Sequence, residues 1–124
     1  MQDFKKIRVW HEAQRLALNV HHCLDAKKFA AYPGKRSQTF RCADSIASNI
    51  AEGSAKEGRE FARFLDMSLA STTELESHLM FAGRANLIPV RRHRRLMESV
   101  EHVRRMLIKF IRRVREGLDD QVSG

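Results

Sequence analysis

The strongest constraint on the fold is a ladder of apolar residues near the end of the chain, with spacings of 4, 3, 4, 3 and 4. Its members are Leu96, Val100, Val103, Leu107, Phe110 and Val114. Residues spaced by three and four share one face of an α-helix, whereas a half-buried strand needs strict alternation. The ladder therefore predicts a long amphipathic helix over about residues 89–116.

Three earlier segments carry the same spacing, at about residues 9–27, 37–52 and 56–85. Ser37 suits the N-cap of the second helix, and Gly53 suits the position just after its end. The expected buried stripes are Phe40, Ala43, Ala47 and Ile50 in the second helix, and Phe61, Leu65, Ser68, Thr72, Leu75, Leu79 and Ala82 in the third. Each predicted helix thus has one face to bury.

Little in the composition interrupts these segments, because the chain has only six glycines and two prolines among 124 residues. Four amphipathic helices joined by short connections pack most simply side by side. We therefore expect one domain, residues 1–124, with an all-α, antiparallel up-down-up-down four-helix bundle. Residues 118–124 are expected to form a frayed tail.

Apolar residues outside these stripes raise the question of a subunit interface. Ile108 and Ile111 on the fourth segment, with Phe64 and Phe81 on the third, widen the apolar faces. A homo-oligomer would cover such surplus surface. The alternative is a broad core-facing stripe, which globular helices often have.

Positive charge is concentrated in the fourth segment. Residues 91–115 contain ten Lys or Arg and two acids, which accounts for the whole net charge of +8. The cations expected on the outward face, our candidate nucleic-acid-binding residues, are Arg91, Arg95, Arg105, Lys109 and Arg112. Two interpretations stay open, a solvated face or a surface for the phosphates of a polyanion. Like charges at i and i+4 repel, so solvated faces usually mix signs.

Residues for catalysis or metal binding form no recognisable set. The six histidines lack zinc-type spacing against Cys23 and Cys42, and no glycine-rich phosphate loop is present. We expect no enzyme activity, no metal and no cofactor. We also expect two reduced thiols, no membrane association and a cytoplasmic location, since no segment approaches about 20 apolar residues or forms an export signal.

Several ordered motifs carry a resemblance to a known family. They are Val9–Ala13, Ser37-Gln38, Arg41, Ser45–Gly53, Arg63–Leu65, Leu69–Thr72 and Glu74–Glu76. Together they resemble the four-helix bundle proteins encoded in intervening sequences of bacterial large-subunit ribosomal RNA genes. The resemblance implies a left-handed antiparallel bundle that assembles as a homopentamer. It also implies an architecture similar to the accessory variability determinant of diversity-generating retroelements, a basic pentamer that binds nucleic acid and a reverse transcriptase.

These observations lead to one functional expectation and one alternative. We expect a non-enzymatic homo-oligomer, most simply a pentamer, whose basic fourth helix binds RNA or DNA, with RNA favoured. The alternative is a protein-interaction scaffold whose arginine face docks an acidic partner, such as a polymerase or a reverse transcriptase.

Overall fold

Four α-helices make up most of the chain in the computed structural model, which describes the backbone of residues 1–123 and the side chains of residues 1–118. After a short 3-10 turn, Phe4–Lys6, the helices are α1 (Arg8–Cys23), α2 (Pro33–Ser54), α3 (Gly58–Arg84) and α4 (Val90–Ser123). The predicted all-α four-helix bundle is confirmed. No helix within the described residues has an apolar stretch long enough to span a membrane.

Helices adjacent in the chain run in opposite directions, as contacts near both ends of each pair show. Between α2 and α3, the Cys42 thiol lies 3.2 Å from the carbonyl oxygen of Ser71. Further along, Gly53 lies against Phe64. The corresponding contacts between α3 and α4 are Leu79 with His93 and Asp66 with Arg115. Short connections leave this antiparallel arrangement as the simplest route for the chain.

The core lies along the bundle axis and is built from the predicted stripes. Fully buried residues come from all four helices, among them Leu16 and Val20 of α1, Ile46 and Ile50 of α2, Leu65, Leu75 and Leu79 of α3, and Val100, Val103 and Leu107 of α4. Phe29, from the connection between α1 and α2, is also buried and closes one end. All seven residues of the predicted α3 stripe are buried.

The ends of α2 differ from the prediction. The helix begins at Pro33, because the fixed φ of proline suits the first helical position, where no N–H is needed. Ser37 is therefore not an N-cap but the fifth residue of the helix, and its hydroxyl donates to the Gly34 carbonyl at 3.2 Å. Gly53 is not a terminator either, since α2 continues through it to Ser54.

The turn between α3 and α4 is a Schellman motif. Asn86 has a φ of 58°, a left-handed conformation that asparagine tolerates better than most residues. The N–H of Leu87 donates to the Ala82 carbonyl at 2.9 Å, and that of Asn86 donates to the Gly83 carbonyl at 3.2 Å. These bonds satisfy the last carbonyls of α3 and reverse the chain.

The far end of α4 also differs from the prediction. The sequence predicts an end near Glu116 and a tail over residues 118–124, whereas α4 continues to Ser123. Gly117, without the positive φ of a helix terminator, does not interrupt it. Gly124 lies outside the described residues.

The expected surplus of apolar surface on α3 and α4 is smaller than the spacing implies. Ile111 is buried in the core, so the broad-stripe interpretation holds for it. Phe81 is half-buried, with the Tyr32 ring 5.2 Å away and the Lys35 ammonium 4.8 Å from its ring centre. Ile108 is exposed. Phe40, predicted to be buried, is also exposed and lies on the α1–α2 side of the bundle.

Candidate nucleic-acid interface

The five predicted binding residues all lie on the outer face of α4. Arg91, Arg95, Arg105, Lys109 and Arg112 are exposed. Their helical positions fall within one stripe opposite the buried ladder, about 30 Å long at 1.5 Å per residue. Glu98 is exposed on the same stripe and is the acid nearest its centre. The stripe thus carries cations at both ends, with a gap of about 15 Å between Arg95 and Arg105 in which Glu98 lies.

The side of α4 that faces α3 is neutralised by ion pairs. The Arg104 guanidinium lies 3.0 Å from a carboxylate oxygen of Glu76 on α3 and 3.0 Å from one of Glu101. Its side chain is only 20% exposed, so these pairs are less screened by water than surface pairs. Further along, Arg115 pairs with Asp66 of α3. Arg104 thus holds α4 against α3 and has both its acidic partners within the chain, whereas the Arg115 pair is more exposed, with side chains 54% and 45% exposed.

Arg105 differs from the other predicted residues because it has an acidic neighbour. Its guanidinium lies 3.7 Å from Glu101, although its side chain is 62% exposed. Within the part of the chain whose side chains are described, the other four predicted cations form no ion pair. Unpaired exposed cations on one face are the arrangement expected of a phosphate-binding surface.

The side of α4 that faces α1 carries further cations. A groove of about 470 Å³ separates the start of α1 from the second half of α4. Its basic lining residues are Lys6, Arg8, His102, Lys109 and Arg113, and we call it the α1–α4 groove. Among the described residues that line it there is no Asp or Glu. Lys6, Arg8 and Arg113 are functional candidates that the sequence prediction missed.

The missed residues lie far from α4 in sequence, so helical spacing alone cannot connect them to it. The only available signal is the basic cluster Lys5, Lys6 and Arg8 at the start of the chain. Nearer the beginning of α4, the surface between α4 and α1 carries both positive and negative side chains. There Arg15, Arg95, Glu12 and Glu98 line a second groove, and Arg15 pairs with Glu12 at 3.2 Å. Positive charge is therefore concentrated at the Lys109 end.

Potentially reactive side chains occur along the contact between α2 and α3, which we call the α2–α3 seam and define by Cys42, Ser45, Gly53, Ser68 and Ser71. The Ser45 hydroxyl donates to Ser71 Oγ at 2.7 Å, and the Ser68 hydroxyl donates to the Ile46 carbonyl at 2.7 Å. Burial, with a smaller contribution from the nearby Glu74 carboxylate, raises the pKa of the Cys42 thiol to about 12. A thiol with that pKa stays protonated near neutral pH and is a poor nucleophile.

Histidine and carboxylate groups are also arranged as local pairs. His78 Nε2 lies 3.7 Å from a Glu74 carboxylate oxygen one turn away in the same helix. Among the described residues, no three His, Cys, Asp or Glu side chains are close enough together to hold a metal ion. The described geometry therefore directs attention to the charged surface rather than to a reaction centre.

The comparison with protein families identifies the chain. Residues 5–109 match the family described as 23S rRNA-intervening sequence protein. The chain belongs to this family. The resemblance predicted from the motifs in α1, α2 and α3 is thereby confirmed. A comparison of the chain with curated proteins found no match.

In this 23S rRNA-intervening sequence protein, the motif Ser45–Gly53 contacts α3 through Ser45 and the Ile46 carbonyl at one end and through Gly53 at the other. Asn49 Nδ2 donates to the Ser45 carbonyl at 2.8 Å, one turn back in the same helix. A Cβ at Gly53 would lie 2.6 Å from the Phe64 Cβ, so only glycine allows α3 this close. The motif is thus explained by helix packing, and the charged surface lies on a different helix.

Proposed function

We propose that this protein is a non-enzymatic homo-oligomer that binds the phosphate backbone of nucleic acid through the outer face of α4. The observation that supports it is a division of roles along α4. Arg104 and Arg115 are paired with acids, whereas Arg91, Arg95, Lys109 and Arg112 are exposed and unpaired among the described side chains. Exposed, uncompensated cations along about 30 Å suit an extended polyanion better than a small anion.

RNA is the nucleic acid we favour. The family name refers to an intervening sequence of 23S rRNA, and this is the reason for preferring RNA to DNA. The contacts expected are to phosphates, which position a strand but carry no sequence information. Binding should therefore depend strongly on salt and weakly on sequence.

The test is a charge-removal variant of α4 with a matched control. The variant carries Arg95→Gln, Lys109→Gln and Arg112→Gln, and the control carries Lys27→Gln, Lys28→Gln and Arg41→Gln. Both remove three exposed charges from a chain of net charge +8, and Gln preserves helix propensity. Fluorescence anisotropy of a labelled single-stranded RNA then measures affinity between roughly 50 and 200 mM salt.

We expect the α4 variant to lose affinity and the control to keep it. Three lost phosphate contacts should reduce the slope of log affinity against log salt by about 2, at about 0.7 per contact with a single strand. Equal affinity of wild type, variant and control would contradict the proposal and leave the α4 face to an acidic protein surface. DNA of the same sequence, bound more tightly than RNA, would contradict the preference for RNA.

Oligomerisation is the second part of the proposal, and we propose a homopentamer. Leu18, Met67, Met80 and Val90 are exposed apolar side chains that subunit contacts would cover. Light scattering should give a mass of about 72 kDa, five times the 14.4 kDa of one chain, if rotation about one axis closes a five-membered ring. A monomer at micromolar concentration would contradict it.

A further inference from the structure

The α1–α4 groove places cations from two distant parts of the chain on facing walls. Lys6 and Arg8 lie on the wall formed by the 3-10 turn and the start of α1, and Lys109 and Arg113 lie on the wall formed by α4. All four are exposed. Apolar side chains, including Ile7 and Phe110, contribute to the lining between them. The groove therefore combines cationic and apolar lining residues.

The start of the chain is held in place, so its cations are positioned before any ligand binds. The Gln2 N–H donates to the Ser54 carbonyl at 2.9 Å, and the Asp3 carboxylate accepts from the Lys5 N–H at 3.0 Å. Ile7 and Val9 are buried at 5% and 3% exposure. Because the residues on either side of Ile7 are exposed, Lys6 and Arg8 are presented outward from an anchored segment.

Like charges held close together repel one another, and none of the described residues that line the groove is an Asp or Glu that could offset the repulsion. Elsewhere on α4 the chain does supply acids, since Arg104 pairs with Glu76 and Glu101. An external anion would relieve the repulsion in the groove. A linear polyanion fits better than a small one, because four cations line the groove and Arg112 lies on the adjoining outer face of α4.

We propose that Lys6 and Arg8 act together with Lys109 and Arg113 to hold the backbone of a single nucleic-acid strand in the α1–α4 groove. This inference rests on the proposed function and extends it from one helix to two. The groove lies at the surface between the two helices, and its volume of about 470 Å³ has room for one backbone lying along it. A duplex is too wide to enter and would contact only the outer face of α4.

The experiment compares two double variants. The groove variant carries Lys6→Gln and Arg8→Gln, and the matched control carries Lys27→Gln and Lys28→Gln. All four positions are exposed, and the control pair lies in the connection between α1 and α2. The probes are a fluorescent single-stranded RNA and the same strand annealed to its complement. Circular dichroism melting verifies that both variants fold like the wild type.

We expect the groove variant to bind the single strand roughly tenfold more weakly near 0.1 M salt, with a salt slope smaller by about 1.4. Its affinity for the duplex should change less than twofold, as should the affinity of the control variant for either probe. An equal loss on both probes would overturn the single-strand assignment, because a duplex cannot enter the groove.

The outcome also separates this inference from the proposed function. If the α4 triple variant loses binding while the groove variant binds the single strand like the control, the groove inference is wrong and the α4 surface stands. If neither variant differs from the control, both proposals are wrong. If both variants lose affinity for the single strand and only the groove variant still binds the duplex, the result supports both proposals.

Discussion

Polar side chains line both the α2–α3 seam and the α1–α4 groove, and the two contacts differ in where those side chains find partners. In the seam, the hydroxyls of Ser45, Ser68 and Ser71 donate to protein oxygens. In the groove, Lys6 and Lys109 have no ion pair among the described residues. The polar groups of the seam are thus paired within the chain, whereas these two cations are not paired with any described carboxylate.

The physical reason for the contrast is the distance between the two helices of each pair. Gly53 and the small seam residues let α2 and α3 approach until backbone and side chain touch, which excludes water and requires every polar group to be paired. Long cationic side chains keep their charged ends in water and leave an open groove. Close packing therefore stabilises the seam, whereas the open groove is where we propose that a nucleic-acid strand binds.

Adding a side chain at Gly53 in the seam should have the largest effect on the stability of the fold. A Cβ at this position would meet the Phe64 Cβ at 2.6 Å and the Phe61 ring at 3.1 Å, so α3 must shift. We expect Gly53→Ala to lower the free energy of unfolding by about 2 kcal/mol, the usual range for overpacking. Urea denaturation monitored by circular dichroism measures it.

Gly34 provides the matched control, since a Cβ there would meet nothing within 4 Å. Gly34→Ala should leave stability unchanged or raise it by up to about 1 kcal/mol through the higher helix propensity of alanine. If the two glycine variants had the same stability, close approach would not be the reason for glycine in the seam.

The next largest effect is expected at Arg104, where α4 is clamped to α3. Arg104→Gln removes pairs to Glu76 and Glu101 from a site that is 20% exposed. We expect a loss of about 1–2 kcal/mol in the free energy of unfolding, since charged hydrogen bonds that are partly buried are worth that much. RNA affinity should stay within about twofold of the wild type, a small change that reflects only the loss of one positive charge.

Arg105 is the neighbouring control for this prediction. Its side chain is 62% exposed and its pair with Glu101 spans 3.7 Å, so Arg105→Gln should change stability by less than about 0.5 kcal/mol. Its effect should appear in RNA binding instead. Equal stability losses at both positions would contradict the distinction between the paired side and the outer face of α4.

A smaller effect, of opposite sign, is expected at Glu98. This carboxylate interrupts the cationic stripe, so Glu98→Gln should raise RNA affinity by roughly two- to threefold, as expected for one exposed charge interaction. Asp44→Asn, at an exposed position of α2, removes the same charge away from α4 and should have less effect. Anisotropy titrations of both variants decide whether the location of the charge matters.

The smallest effect concerns the cysteines and tests how tightly the seam is closed. Burial raises the pKa of both thiols, to about 12 for Cys42, and Cys42 is 6% exposed. Iodoacetamide near pH 8 should therefore label the half-buried Cys23 well before Cys42. The rate at Cys42 should still rise with pH toward 12, since the thiolate increases throughout that interval. Mass spectrometry of peptides measures both rates, and equal rates would show that the seam opens readily.

Several features of the fold follow from local rules that the sequence contains. The apolar spacing identifies four helices, because a helix places residues three and four apart on one face. The ends were less predictable, since Pro33 initiates α2 earlier than Ser37 and α4 passes through Gly117. Phe40 fits the spacing of a buried stripe but is exposed, because spacing describes a helix face and not the helix that covers it.

For the candidate site, the sequence by itself determined that the excess charge belongs to α4 and that Arg91, Arg95, Lys109 and Arg112 lie on its outer face. Only the tertiary structure decided that Arg104 and Arg115 are paired with α3 and that Lys6 and Arg8 join the α4 cations. The reason is that helical periodicity relates residues within one helix, whereas an ion pair or a groove depends on which other helix lies beside it.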